Sequence, residues 1–339
     1  MRVVVVGGGI AGLSASIQLA VDGAEVILIE SRDTLGGRVR IRNTGGWIID
    51  PGLHLMREKG PLYQLLRKLR APRAIGKKFS KIDFLSIPSD SNDGLSKLEN
   101  MNISSTSNVS SEFIIPRGGW SSIIGRLIVA VNQLNVEVHT GKKVESIILK
   151  GEKIQSIVVN GKKIHCNKIV LAIPPTETAF LLKNAGLNTS ELDSCEPQLS
   201  AAMDIAIEAK VMSPNSGLFD LNSGVIAIDL AQKDRIPFGR EPNECSIIHA
   251  VNLRGDGDSA LEEIKQLLDL RCAGWRKHVS KRRSTPSIMI HPCTLEQRIK
   301  SSLYSSSGII LAGAHVISDY ILSDASVSTG RNTSKLIHH

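Results

Sequence analysis

Three glycines, Gly7, Gly9 and Gly12, stand in a G-x-G-x-x-G spacing directly behind the β-branched run "RVVVV" and ahead of the apolar, Ala-rich stretch "IAGLSASIQLAV". Strand, glycine turn and helix in that order is the context in which backbone N–H groups at a helix start cradle a pyrophosphate. The first glycine permits the tight turn, the second lets the anion approach the backbone, and the third lets the helix pack closely on the strand. Ala11 lies inside this turn. A second strand, "EVILI", leads to Glu30, 18 residues beyond Gly12, where an acidic side chain accepts hydrogen bonds from the ribose hydroxyls and repels a 2′-phosphate. Ser31 follows it and is counted with the same site. The chemistry implied is dinucleotide binding. Other chemistries lack their marks: there is no C-x-x-C, H-E-x-x-H or G-x-S-x-G, and the 5 cysteines are widely spaced. They read mostly as core thiols, with neither a disulfide framework nor a metal site indicated.

Six residues past Glu30 the chain runs Gly36-Gly37-Arg38. With that turn, residues 1–54 closely resemble the flavin-containing amine oxidase and phytoene desaturase superfamily. The resemblance implies FAD as cofactor, with the Gly36-Gly37 backbone in close approach to it and Arg38 at the pyrophosphate or flavin edge. A plain surface cation, one of several with Arg32, Arg40 and Arg42, is the alternative for Arg38. "WIIDPGLHL" is similar to the family's D-x-G-x-H segment, here Asp50, Gly52 and His54, and "PRGGWSSIIGRL" to its P-x-G-G turn and helix. "GKKVESI" resembles the strand whose valine, here Val144, touches adenine through its backbone. "KIVLAIPP" resembles the strand exit toward a substrate domain.

At the far end, "GIILAGAHVISDYILSDASVSTG" resembles the closing segment that holds the ribityl chain and flavin. Many relatives place an acid directly after the glycine; this chain has Gly313, Ala314 and His315, and Gly-Ala resembles the bacterial phytoene desaturase branch. Ala325 and Thr329 fall in the helix that, by resemblance, starts under the flavin ring. Family position makes His54 and Asp50 candidates for catalysis, with a turn histidine satisfied by backbone as the alternative reading, and His315 joins them at the flavin end. Residues 176–290 carry no motif that the resemblance places.

The expected fold is α/β: a doubly wound, Rossmann-like FAD-binding domain from 1–60, 113–175 and 300–339, with an inserted smaller α+β substrate domain from 61–112 and 176–299. The 339-residue length accommodates two domains. The expected activity is FAD-dependent dehydrogenation or desaturation of an apolar, isoprenoid-like small molecule. An amine oxidase is the nearest rival, and a non-catalytic flavin-binding protein is a rival of another class. The 4% aromatic content makes the aromatic cage of an amine site hard to build.

Composition, with 42% hydrophobic and 22% charged residues, reads as an ordinary globular chain. No signal-peptide pattern opens it, so a cytoplasmic location is expected. Net charge is +8, but few aromatics interleave the cations, which disfavours nucleic acid. A helix opening at Pro61 places Leu62, Leu65, Leu66 and Leu69 on one face beside Arg67, Lys68 and Arg70. Peripheral contact with an anionic membrane is one expectation for it, and an ordinary solvated basic face is the other. The pair Asn160-Gly161 predicts a hairpin turn.

Overall fold

A computed structural model describes residues 1–39, 42–49, 56–70, 77–78, 81–85, 113–213, 216–220 and 222–337. The chain divides into two compact units. The first comprises Met1–Arg38, Ile124–Gln198 and His291–His339; the second comprises Val39–Ile123 and Leu199–Ile290.

In the first unit, β1 (Arg2–Val6), β2 (Glu25–Ile29), β3 (Glu137–His139), β4 (Lys168–Leu171) and β5 (Ile309–Leu311) form one sheet in the order β5-β4-β1-β2-β3. Every pairing is parallel. A sheet covered on both faces needs apolar side chains at every position, which is why the strands are continuous Val, Ile and Leu runs. Helix α1 (Ile10–Val21) follows β1, and helix α2 (Leu322–Ile337) packs on α1. Gly330 makes that packing possible, since a Cβ there would lie 2.4 Å from the Ala11 carbonyl oxygen. Val4, Ile27, Ile169 and Leu311 point to the other face, where they pack against Ile147, Ile157 and Val159. These belong to the antiparallel layer Val144–Lys150, Lys153–Val159 and Lys162–His165. This layer takes the place of a second set of helices. Its last turn is the predicted one: Asn160 and Gly161 both have positive φ, 49° and 70°, as a two-residue hairpin requires.

In the second unit a six-stranded sheet has the order Val279–His291, Gln198–Ile207, Ser246–Asn252, Val225–Asp229, Ser216–Asp220, Lys81–Leu85. One face packs with the helix Asp258–Arg271 through Leu261, Ile264 and Leu268. The other holds Trp47, Ile49, Ile115 and Phe219. On that second face Asp204 and His249 pair across neighbouring strands at 2.7 Å, and Arg283 donates to the same carboxylate.

Several boundaries differ from the sequence expectation. Residues 39–60 and 113–123 group with the second unit, because Trp47, Ile49 and Ile115 pack with its sheet. Residues 176–198 and 291–299 group with the first, because Ala179, Leu181, Leu182 and Leu192 pack beneath the parallel sheet. The inserted unit, expected to be the smaller, is slightly the larger by residue count. The helix at Pro61 forms over Pro61–Lys68, but Leu62, Leu65 and Leu66 are 0%, 3% and 0% exposed. The leucine face is therefore spent on the protein's own core and is not free to enter a membrane. Arg67, Lys68 and Arg70 remain exposed. Among the described residues, no helix is long and apolar enough to cross a membrane.

Candidate cofactor site

In parallel sheets ligands bind beyond the carboxyl ends of the strands. Four strands of the first unit deliver their exits to that edge: β1 to Gly7, β2 to Glu30, β4 to Ala172 and β5 to Ala312 and Gly313. Gly7 has φ +104°, and a Cβ there would lie 2.5 Å from the Ala172 carbonyl oxygen. A Cβ on Gly12 would lie 1.8 Å from the Gly7 carbonyl oxygen. Protein packing alone therefore demands these two glycines. Gly9 is different: its φ of −77° suits any residue, and a Cβ would meet nothing closer than the Gly37 Cα at 3.8 Å. No protein atom explains the small residue at Gly9. A pyrophosphate at the start of α1 does, because it needs that space and the free N–H groups beside it.

The Gly36-Gly37 turn lies directly against this loop. The Gly36 N–H donates to the Gly8 carbonyl at 2.8 Å, and a Cβ on Gly37 would lie 2.9 Å from the Gly9 Cα. Arg32 secures the turn by donating to the Gly37 carbonyl at 2.7 Å. Water reaches Arg38, yet the protein atoms crowding it lower its pKa by desolvation.

Glu30 is buried, and its carboxylate accepts from the Gly8 N–H at 2.6 Å, the Arg32 N–H at 2.9 Å and the Ser31 hydroxyl at 3.1 Å. A carboxylate offers about four acceptor positions. The acid thus anchors the glycine loop from below and keeps room for one further donor, such as a single ribose hydroxyl. The ribose contact was the sequence expectation; the anchoring of the glycine loop was not part of it. The Gly141 and Lys142 N–H groups bond to the Arg32 and Glu30 carbonyls at 2.7 and 2.9 Å, which brings the buried Val144 strand alongside.

At the β5 exit, the Gly313 N–H donates to the Thr329 hydroxyl oxygen at 3.0 Å, and that hydroxyl faces the Ala325 carbonyl at 2.8 Å. Thr329 thereby ties the Gly313-Ala314 turn to the first turns of α2, where Ala325 is fully buried. Gly313 has φ +144°, and a Cβ there would strike the His315 ring at 2.7 Å. His315 is 2% exposed, and its Nε2 has no hydrogen-bond partner. Burial, with His291 and the Arg38 charge nearby, pushes its pKa down to about 4.

His291 and Arg298 were not anticipated, since they lie in a stretch with no recognisable motif. The His291 Nδ1 is 2.5 Å from the Cys293 carbonyl oxygen, which only accepts, so Nδ1 carries the hydrogen. Its Nε2 then accepts from Arg298, 3.5 Å away. Arg298 also donates to the Ser318 and Tyr320 carbonyls at 3.0 and 2.8 Å. Burial also holds His291 at about 4. Asp50 and His54, the other predicted catalytic residues, lie outside the described residues. No group of three or more His, Cys, Asp or Glu side chains forms a metal site among the described residues.

A glycine cradle, an anchoring acid and a second glycine turn on a parallel sheet define a dinucleotide-binding protein of the Rossmann type. Comparison with known proteins agrees. Residues 5–69 match the NAD(P)-binding Rossmann-like domain family, and residues 88–197 match the flavin containing amine oxidoreductase family. The chain is 38% identical over 72 residues to polyamine oxidase 3 of Oryza sativa subsp. japonica, covering 20% of this chain and 15% of that protein. It is 47% identical over 51 residues to 4,4'-diapolycopene oxygenase of Methylomonas sp, covering 15% and 10%. An oxidoreductase from Methanosarcina mazei shares the fold, with a TM-score of 0.78 at 14% identity over 99% of this chain and 100% of that one. The matched segments thus span a small part of these two curated relatives, while the fold of the solved structure matches throughout. These matches support the flavin-containing amine oxidase superfamily for this chain, with FAD as its dinucleotide.

Proposed function

We propose that the protein is an FAD-dependent oxidoreductase that dehydrogenates or desaturates an apolar small molecule. The observation that carries the cofactor half of this reading is Gly9, whose small size answers to no protein atom. Bound FAD supplies the hydride acceptor, so the protein's work is holding and orienting. The N–H groups at the start of α1 receive the pyrophosphate, Glu30 receives ribose, and Arg38 neutralises phosphate or flavin charge. Thr329 and Ala325 hold the Gly313-Ala314 turn at the flavin end.

The apolar substrate rests on Ala314, where many relatives carry an acid, and on the scarcity of aromatic residues for an amine cage. The amine oxidase reading keeps support from the polyamine oxidase match. Anaerobic addition of candidate polyenes and candidate amines to the purified flavoprotein, followed by absorbance, decides between them. Bleaching of the oxidised flavin band by polyenes alone is the expected result. Bleaching by amines alone overturns the substrate, and a purified chain that neither carries nor takes up FAD overturns the cofactor.

A further inference from the structure

The five cysteines are all free. Cys166, Cys245 and Cys272 are each packed in a different hydrophobic cluster. Cys195 and Cys293 are instead neighbours, 98 residues apart in sequence, each thiol lying close enough to shift the titration of the other. Gln297 clamps this pairing. Its Oε1 accepts from the Glu196 N–H at 3.0 Å and from the Thr294 N–H at 3.1 Å, the residues that directly follow the two cysteines. Its backbone carbonyl accepts from the Cys195 thiol at 3.7 Å.

The position in the chain is as telling as the proximity. The first unit ends one of its segments at Gln198 and resumes at His291. Cys195 therefore stands just before the chain leaves that unit, and Cys293 just after it returns. We propose that Cys195 and Cys293 form a reversible disulfide, a redox-set clasp joining the two crossover segments, made by exchange with a low-molecular-weight disulfide.

Cys293 is 1% exposed, whereas Cys195 is only half-buried, so Cys195 makes the first attack. Its thiolate bonds to one sulfur of the small disulfide, whose other half departs as a thiolate and takes up a proton. Cys293 then loses its proton and attacks the Cys195 Sγ, expelling the second half as a thiol. The protein dithiol loses two electrons, and the small disulfide gains them as two thiols. The bond closes a loop containing all of residues 199–290, and long closed loops restrict the unfolded chain most. Burial raises both thiols, Cys293 to about 12, with the Arg298 charge opposing it there. The exchange is consequently slow at neutral pH and quickens as thiolate becomes available.

The test incubates the full chain with oxidised glutathione at about pH 7 and about pH 8.5, alkylates the remaining thiols, and maps peptides without reduction. The expected product is a single Cys195–Cys293 linked pair, reversed by dithiothreitol, forming roughly tenfold or more faster at the higher pH. In Cys293→Ser the reaction is expected to stop at a glutathione adduct on Cys195. A wild-type chain that also stops at that adduct overturns the proposal. So does a link from Cys195 to any other cysteine, or an unreacted Cys195 at the higher pH. None of these outcomes depends on flavin, so the clasp and the proposed activity stand or fall separately.

Discussion

Gly9 and Gly12 belong to one motif, yet they answer to different demands. A Cβ at Gly12 would penetrate the Gly7 carbonyl, while one at Gly9 meets open space. Gly9→Val should therefore leave the apoprotein melting close to wild type and abolish FAD uptake. Gly12→Val should fail to fold. Flavin absorbance after gel filtration, beside apoprotein thermal melts, checks both; a Gly9→Val protein with full flavin would remove the cradle. Glu30→Gln replaces a charged acceptor of two backbone N–H groups, a class of bond worth about 1.5–3 kcal/mol. FAD affinity should fall roughly ten- to a hundredfold, measured by titration of apoprotein.

The paired histidines make a pH prediction with a definite sign. His291 and His315 sit at about 4 in the fold, and a free imidazole titrates near 6.5. Between those values the unfolded chain binds more protons than the folded one. Stability is therefore complete above about pH 6.5 and falls as pH drops toward 4, by on the order of 3 kcal/mol for one such group. Urea midpoints across this range should decline in wild-type apoprotein and decline less in His315→Leu. Equal slopes would mean that the ring is not buried in its neutral form.

Among the elements, α1 and α2 show how a distant residue joins the glycine cradle to the Gly313-Ala314 turn. They touch through Gly330, against the Ala11 carbonyl and the Ala15 amide. Gly330→Val must push the helices apart, and overpacking of this kind costs about 1–3 kcal/mol. A lowered melting temperature with weaker FAD binding is expected, because α2 also carries Ala325 and Thr329. A variant with unchanged melting would show that α2 moves aside freely. At the Pro61 helix the amphipathic pattern was legible, but its partner was not: the same leucines that suit a membrane suit a core, and burial decided for the core.

For the molecule as a whole, the net charge of +8 still attracts anionic surfaces. With the leucines buried, any vesicle binding through Arg67, Lys68 and Arg70 should be purely electrostatic. It should vanish when salt shortens the screening length from about 10 Å to about 3 Å. Co-sedimentation that persists in high salt, or on neutral vesicles, would contradict the buried leucine face.

Local pattern was enough to read the strand-turn-helix cradle, the Glu30 strand end and the Asn160-Gly161 hairpin. Each depends on neighbours a few residues away and on backbone conformations that few residue types adopt. The likeness of the N-terminal stretch, where residues 5–69 match the NAD(P)-binding Rossmann-like domain family, followed from the first of those motifs. Contacts across long sequence separations could not be read this way, because nothing local encodes which buried groups will meet. The fold alone showed that Glu30 spends most of its carboxylate on the Gly8 and Arg32 amides and that His291, bonded to Arg298, lies near His315. It alone set the unit boundaries, through Trp47 and Leu182 packing with strands far along the chain. Spacing without a C-x-x-C made the cysteines look inert. Three-dimensional closure at the crossover, held by one glutamine, brought Cys195 and Cys293 together.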